Sequence, residues 1–125
     1  MSKLGKLFGS NSEKKESPTF NWIPLITKEQ LDNLNENAVL FKHSTRCVIS
    51  RSVIKSFENQ SRELEGKVSF YYLDLLNYKD ISAAIAEKFQ VLHQSPQVVV
   101  VKNGELVGHG SHDNILGLDI ESLIQ

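Results

Sequence analysis

The segment centred on Asn103-Gly104 constrains the fold of this chain more than any other feature. Gln97 to Val101 reads QVVVV, and Leu106 and Val107 follow the Asn-Gly pair. Two apolar, β-branched runs joined through Asn-Gly predict a hairpin, because a type I′ turn needs positive φ at both central residues. Those two strands are therefore antiparallel. Upstream the pattern changes. Ala38 to Phe41 is a short apolar run with the length of a buried strand, and from Cys47 onward Ile49, Val53 and Phe57 recur every four residues, as on one face of a helix. Gly66 ends that helix, Val68 to Leu73 (VSFYYL) predicts a second strand, and Ile81, Ile85 and Phe89 mark a second helix opening at Tyr78 or Asp80. Its alanines, Ala83, Ala84 and Ala86, permit close packing on a sheet. Two strand–helix–strand crossovers followed by a hairpin predict an α/β fold: a central four-stranded mixed sheet flanked by helices.

The flanks read less sharply. Thr27 and Gln30 have capping-box spacing, and Leu31 and Leu34 then give a short first helix an apolar side. His112 to Gln125 fits a closing helix with Ile115, Leu116, Leu123 and Ile124 buried, although Gly117 interrupts it. Met1 to Thr19 is Ser, Lys, Glu, Asn and Gly with little to bury. It is expected to be a flexible tail ahead of one domain over residues 20–125. The KLGKLF piece of that tail is too short to hold a membrane alone.

Composition removes several function classes. A chain of 125 residues with a formal net charge of −1 gives no electrostatic reason to expect nucleic acid as a partner. No apolar run approaches the roughly 18 residues needed to span a bilayer, the N-terminus lacks a secretory signal pattern, and Ser2 excludes N-myristoylation. A single cysteine forbids an intramolecular disulfide and makes a reducing cytoplasm the natural location, with a monomer expected.

That cysteine carries the chemistry. Cys47 lies where a buried strand meets a long helix, so the unpaired N–H groups of the first turn and the helix dipole favour a thiolate there. A free thiol titrates near about 8.5, and helix N-termini beside cations lower that value. Arg46 and His43 are the candidate cations. Ser50 follows three residues later, where a CxxC oxidoreductase carries its resolving thiol. A hydroxyl can donate a hydrogen bond to a thiolate or mixed disulfide but cannot attack the disulfide, so a second molecule must complete the cycle. Ser95-Pro96 precedes an apolar strand, and a cis bond there would bring free backbone groups beside the Cys47 helix. His93 and His112 are candidate polar contacts near the thiol. His109 and His112 make only a pair, short of a metal site, and none is expected.

With these residues assembled, the chain resembles the monothiol bacilliredoxin family of the thioredoxin superfamily. FKHSTRCVIS at Phe41 to Ser50 is similar to that family's active-site segment, HQSPQ at His93 to Gln97 to its cis-proline segment, and KNGELVGHGSH at Lys102 to His112 to its hairpin and final loop. The resemblance covers roughly Phe20 to Gln125. It implies a thioredoxin-like fold, Cys47 as nucleophile, Pro96 as the cis proline and Ser50 in place of a resolving cysteine. Thr45, Ser95, Pro96, His93 and His112 become the candidate substrate contacts. The implied activity is removal of bacillithiol from S-thiolated client proteins, with the small thiol as cosubstrate and no bound cofactor. Val48 departs from the pattern, standing where many relatives have proline, which restores one N–H donor in the helix's first turn. Two other readings stay open at this point. One is a non-enzymatic thioredoxin-fold adaptor, or stress-response binding module, with an incidental cysteine. The other is iron–sulfur carriage, with Cys47 from each of two protomers and small thiols completing the cluster.

Overall fold

The computed structural model describes residues 19–34 and 36–125. Nearly all of the predicted tail, residues 1–18, lies outside the described residues. Chain order is β1 (Trp22–Pro24), α1 (Glu29–Asp32), β2 (Asn37–His43), α2 (Val48–Ser61), β3 (Ser69–Asp74), α3 (Lys79–Phe89), β4 (Gln97–Lys102), β5 (Glu105–Ser111) and α4 (Ile120–Leu123). One mixed sheet runs β1-β3-β2-β4-β5. The β3 strand is parallel to both β1 and β2, whereas β2–β4 and β4–β5 are antiparallel. The predicted mixed sheet and hairpin are both present, and Asn103 and Gly104 have φ of 53° and 83° as a type I′ turn requires.

The sheet has five strands rather than four. The additional one, β1, is three residues ending in proline, too short to show alternation, and it pairs only at the edge through Trp22, Ile23 and Pro24 with Phe70, Tyr71 and Tyr72. The first helix is a single turn. Gln30 Oε1 accepts from the Thr27 amide at 3.0 Å and from Thr27 Oγ1 at 3.3 Å, so the glutamine half of the capping box forms without the threonine half. The predicted closing helix is broken into a 3₁₀ segment, His112–Gly117, and α4. Asp119 accounts for the restart by capping α4, its side chain accepting from the Ser122 amide. Leu123 then lies against β5 at Gly108, where a Cβ would come within 2.7 Å of its Cδ1.

Burial of β2 on both faces explains why its sequence runs apolar without alternation. Val39 and Phe41 join Val53, Ile54 and Phe57 of α2 and Phe70, Val98 and Val100. Ala38 and Leu40 face the other way, joining Ile81, Ile85 and Phe89 of α3 with Leu73, Val99 and Val101. Aromatic rings concentrate on the α2 side. Phe57, fully buried, has ring centroids 5.3 Å from Phe41, 5.9 Å from Phe70 and 6.2 Å from Trp22. Phe57→Ala is expected to cost about 3–5 kcal/mol, read as a lowered urea midpoint with an unchanged m-value.

Candidate active site

The C-terminal ends of β2 and β3 and the start of β4 meet at one end of the sheet. Lys42 pairs with Gln97 in the antiparallel register and His43 with Asp74 in the parallel one. Pro96, cis to Ser95, therefore enters the sheet beside the residues that leave β2 for α2. Its carbonyl accepts from the His112 amide at 3.0 Å, which ties the last loop to the proline segment. The sequence-derived residues His43, Thr45, Arg46, Cys47, Ser50, Ser95, Pro96 and His112 all lie at this end. His93 stands apart on the α3 side of the sheet.

Cys47 is the N-cap of α2, with extended backbone (φ −99°, ψ 121°), and is partly exposed. Its amide donates to Ser44 O at 3.2 Å and its carbonyl accepts from Arg51 N at 3.0 Å. The sulfur thus sits where the first-turn amides have no partner within the helix. Val48 and Ile49 beside it are exposed apolar residues.

Ser50 plays a different part from the one its spacing suggested. It is fully buried, and its Oγ lies 2.7 Å from His43 Nδ1 and accepts from the Ser44 amide at 3.1 Å. The hydroxyl anchors the turn that presents Cys47, and makes no hydrogen bond to the sulfur among the described residues. His43 is likewise not the cation expected. Burial, the largest influence, together with the Arg51 charge pushes its imidazole below the ordinary value, against the opposing pull of Asp74 and Glu58, so it is neutral at pH 7. Its ring packs near Phe41 and Tyr72, with centroids 6.3 and 5.5 Å away. Arg46 is exposed on the turn. The cation that engages the turn is Arg51, whose Nη1 donates to Thr45 O at 3.1 Å. Arg51 follows Cys47 by four residues and so shares its helix face, a spacing from which sequence reasoning could have found it.

Lys42 and Gln97 were also missed. Both are buried on the α3 side of the sheet, and Lys42 Nζ and Gln97 Oε1 have no hydrogen-bond partner among the described residues. Burial lowers the Lys42 ammonium to about 8. His93 is exposed, its Nδ1 is 3.4 Å from Ser82 Oγ, and partial burial, followed by the Lys42 charge, lowers its imidazole. Among the described residues, no group of three or more His, Cys, Asp or Glu is placed to hold a metal, and no helix is long and apolar enough to cross a membrane.

A cis-proline segment beside a helix that begins at a lone cysteine, on a sheet of this topology, defines a thioredoxin-fold redox protein. The chain is similar to a solved thioredoxin-fold protein provisionally assigned as an oxidoreductase, at 32% identity and a TM-score of 0.68, covering 81% of this chain and 88% of that one. Thioredoxin from Trypanosoma brucei brucei (18% identity, TM-score 0.65, 88% and 94% covered) shares the fold. So does mitochondrial thioredoxin 3 from Saccharomyces cerevisiae (22%, 0.64, 81% and 94%). The model of the family described as monothiol bacilliredoxin BrxC matches residues 23–120, and the chain belongs to that family.

Two measurements test this account of the site. Ser50→Ala leaves the Ser44 amide and His43 Nδ1 without their buried partner, and is expected to cost about 1–3 kcal/mol in chemical denaturation. Lys42→Met should act in the opposite direction. The folded-state ammonium titrates at about 8 against 10.5 for an ordinary lysine. Between those values the unfolded chain holds a proton that the folded one lacks, so native stability rises with pH across that window. The variant is therefore expected to gain up to about 3 kcal/mol at pH 7 and to lose most of that advantage by pH 10, read by urea denaturation at both.

Proposed function

We propose that this chain is a cytoplasmic monothiol disulfide oxidoreductase that removes bacillithiol, or a similar small thiol, from mixed disulfides on client proteins through Cys47. The observation that carries the reading is the placement of a single, partly exposed sulfur at the N-cap of α2, with the buried Ser50 hydroxyl at the position three residues on. Family membership supports it. The Cys47 thiolate attacks the small-thiol sulfur of the mixed disulfide. A new disulfide joins Cys47 to the small thiol while the original S–S bond breaks, and the client departs as a thiolate. With no second thiol in the chain, a free small thiol attacks the Cys47 adduct and regenerates the enzyme. Proton and electron-pair movements need no metal or bound cofactor in this scheme. Exposed Val48 and Ile49 supply apolar contact for the client beside the sulfur, and the segment around Pro96 supplies backbone groups for its extended chain.

The test is intact-mass analysis after incubation with oxidised bacillithiol and, separately, oxidised glutathione. The wild-type chain is expected to gain one small-thiol adduct at Cys47, to lose it on adding free thiol, and to release the small thiol from a thiolated client. Cys47→Ser should do none of these. A wild-type chain that forms no adduct with either disulfide, or a Cys47→Ser variant that still dethiolates the client, would refute the proposal.

A further inference from the structure

We propose that the groove beside α3 is a self-association face, on which two copies of this chain pair antiparallel, α3 against α3, about a two-fold axis at Ala83. The inference is independent of the thiol chemistry, since neither Cys47 nor the exposed apolar Val48 and Ile49 line this groove.

A groove of about 830 Å³ runs between α3 and the returning segment 91–93. Its apolar lining includes Leu75, Ala83, Ala86 and Leu92. Leu92 is 81% exposed, more than any other large hydrophobic side chain among the described residues. The sheet-facing side of α3 is satisfied, with Ile81, Ile85 and Phe89 buried in the core. The outer side is not. Lys79, Ala83 and Glu87 follow one another there at intervals of four residues, so one row of the helix carries a cation, a small residue and an anion. All three are exposed and line the groove. Lys88, next in the chain, pairs with Asp32 at 3.4 Å, whereas Lys79 and Glu87 join no ion pair among the described residues.

That row is its own complement. Lys79 and Glu87 stand four residues to either side of Ala83, about 6 Å along the helix axis in each direction. An antiparallel two-fold at Ala83 sets each Lys79 beside the partner's Glu87, so the contact closes with two ion pairs. A parallel pairing would oppose lysine to lysine and glutamate to glutamate. Ala83 at the crossing lets the helices approach closely and interlock their i±4 ridges. The groove and the exposed Leu92 supply the apolar surface whose burial drives the contact. One helix and one loop from each copy make a smaller interface than a permanent dimer has, so association depends on concentration and the monomer anticipated from the sequence is the dilute form.

Sedimentation equilibrium of the full chain, with Cys47 kept reduced, reads the association up to about 1 mM. The wild-type chain is expected to approach the dimer mass as its concentration rises. Lys79→Glu and Glu87→Lys each turn two attractions into two repulsions, and Leu92→Ser removes apolar surface. Each is expected to weaken association at least tenfold while the circular dichroism of the dilute monomer stays unchanged. An equimolar mixture of the Lys79→Glu and Glu87→Lys proteins should associate again as a heterodimer, and the double variant should pair with itself, because antiparallel pairing brings these two positions together. A chain that remains monomeric at the highest concentration would overturn the proposal. So would a dimer indifferent to the charge reversals, or one that the mixture fails to restore. A monomeric chain whose groove binds 8-anilinonaphthalene-1-sulfonate, with binding lost in Leu92→Ser, would overturn it in favour of an apolar ligand.

Discussion

The pairing of β2 with both β3 and β4 is the constraint on which the site depends. A strand buried on both faces cannot shift by one residue without exchanging its two sets of contacts, Val39 and Phe41 for Ala38 and Leu40. Fixed in that register, β2 ends at His43, β4 begins with Gln97 opposite Lys42, and cis Pro96 arrives beside the strand end. The turn from Ser44 to Arg46 then has little freedom in where it delivers Cys47. Hydrophobic burial several residues away thus determines the environment of the sulfur, and the polar contacts at the sheet end refine it.

Those refinements come from groups that avoid charge. His43 is buried and neutral, Ser50 is shared between that imidazole and the Ser44 amide, and Tyr72, raised by burial and by the nearby Asp74 and Glu58 charges, keeps its phenol protonated. Arg51 approaches from the helix surface to a backbone carbonyl. The turn is therefore braced by neutral hydrogen bonds on its inner side and by a solvated cation outside. Such bracing is less sensitive to salt than an ion pair would be.

The fold was legible in the sequence wherever periodicity extended over enough residues. Ile49, Val53 and Phe57 fixed α2, Ile81, Ile85 and Phe89 fixed α3, and Asn103-Gly104 fixed the hairpin, because each pattern has one economical solution in space. Three-residue β1 escaped, being too short for any period to register, and the closing helix was read as one stretch although the structure divides it into a 3₁₀ segment and the four-residue α4. At the site, the positions of Cys47, Ser50 and Pro96 could be read from local order. The roles of His43 and Ser50 could not, because they depend on which face of β2 meets the first turn of α2. The burial of Lys42 and Gln97 was hidden for a related reason: each is a polar residue at the end of an apolar run, and only the register of β2 against β4 sets them opposite one another inside the sheet.

The buried hydroxyl of Ser50 bears on how this chain relates to dithiol relatives. The two chemistries differ by one atom, oxygen or sulfur, at a single position. Here that oxygen fills a socket shaped by an imidazole at 2.7 Å and an amide at 3.1 Å, distances that a larger and more weakly accepting sulfur does not reproduce. The one-cysteine state is thus more than the absence of a second thiol. It is wired into the support of the first, and evolutionary passage to a two-cysteine enzyme would require the socket to be rebuilt along with the codon.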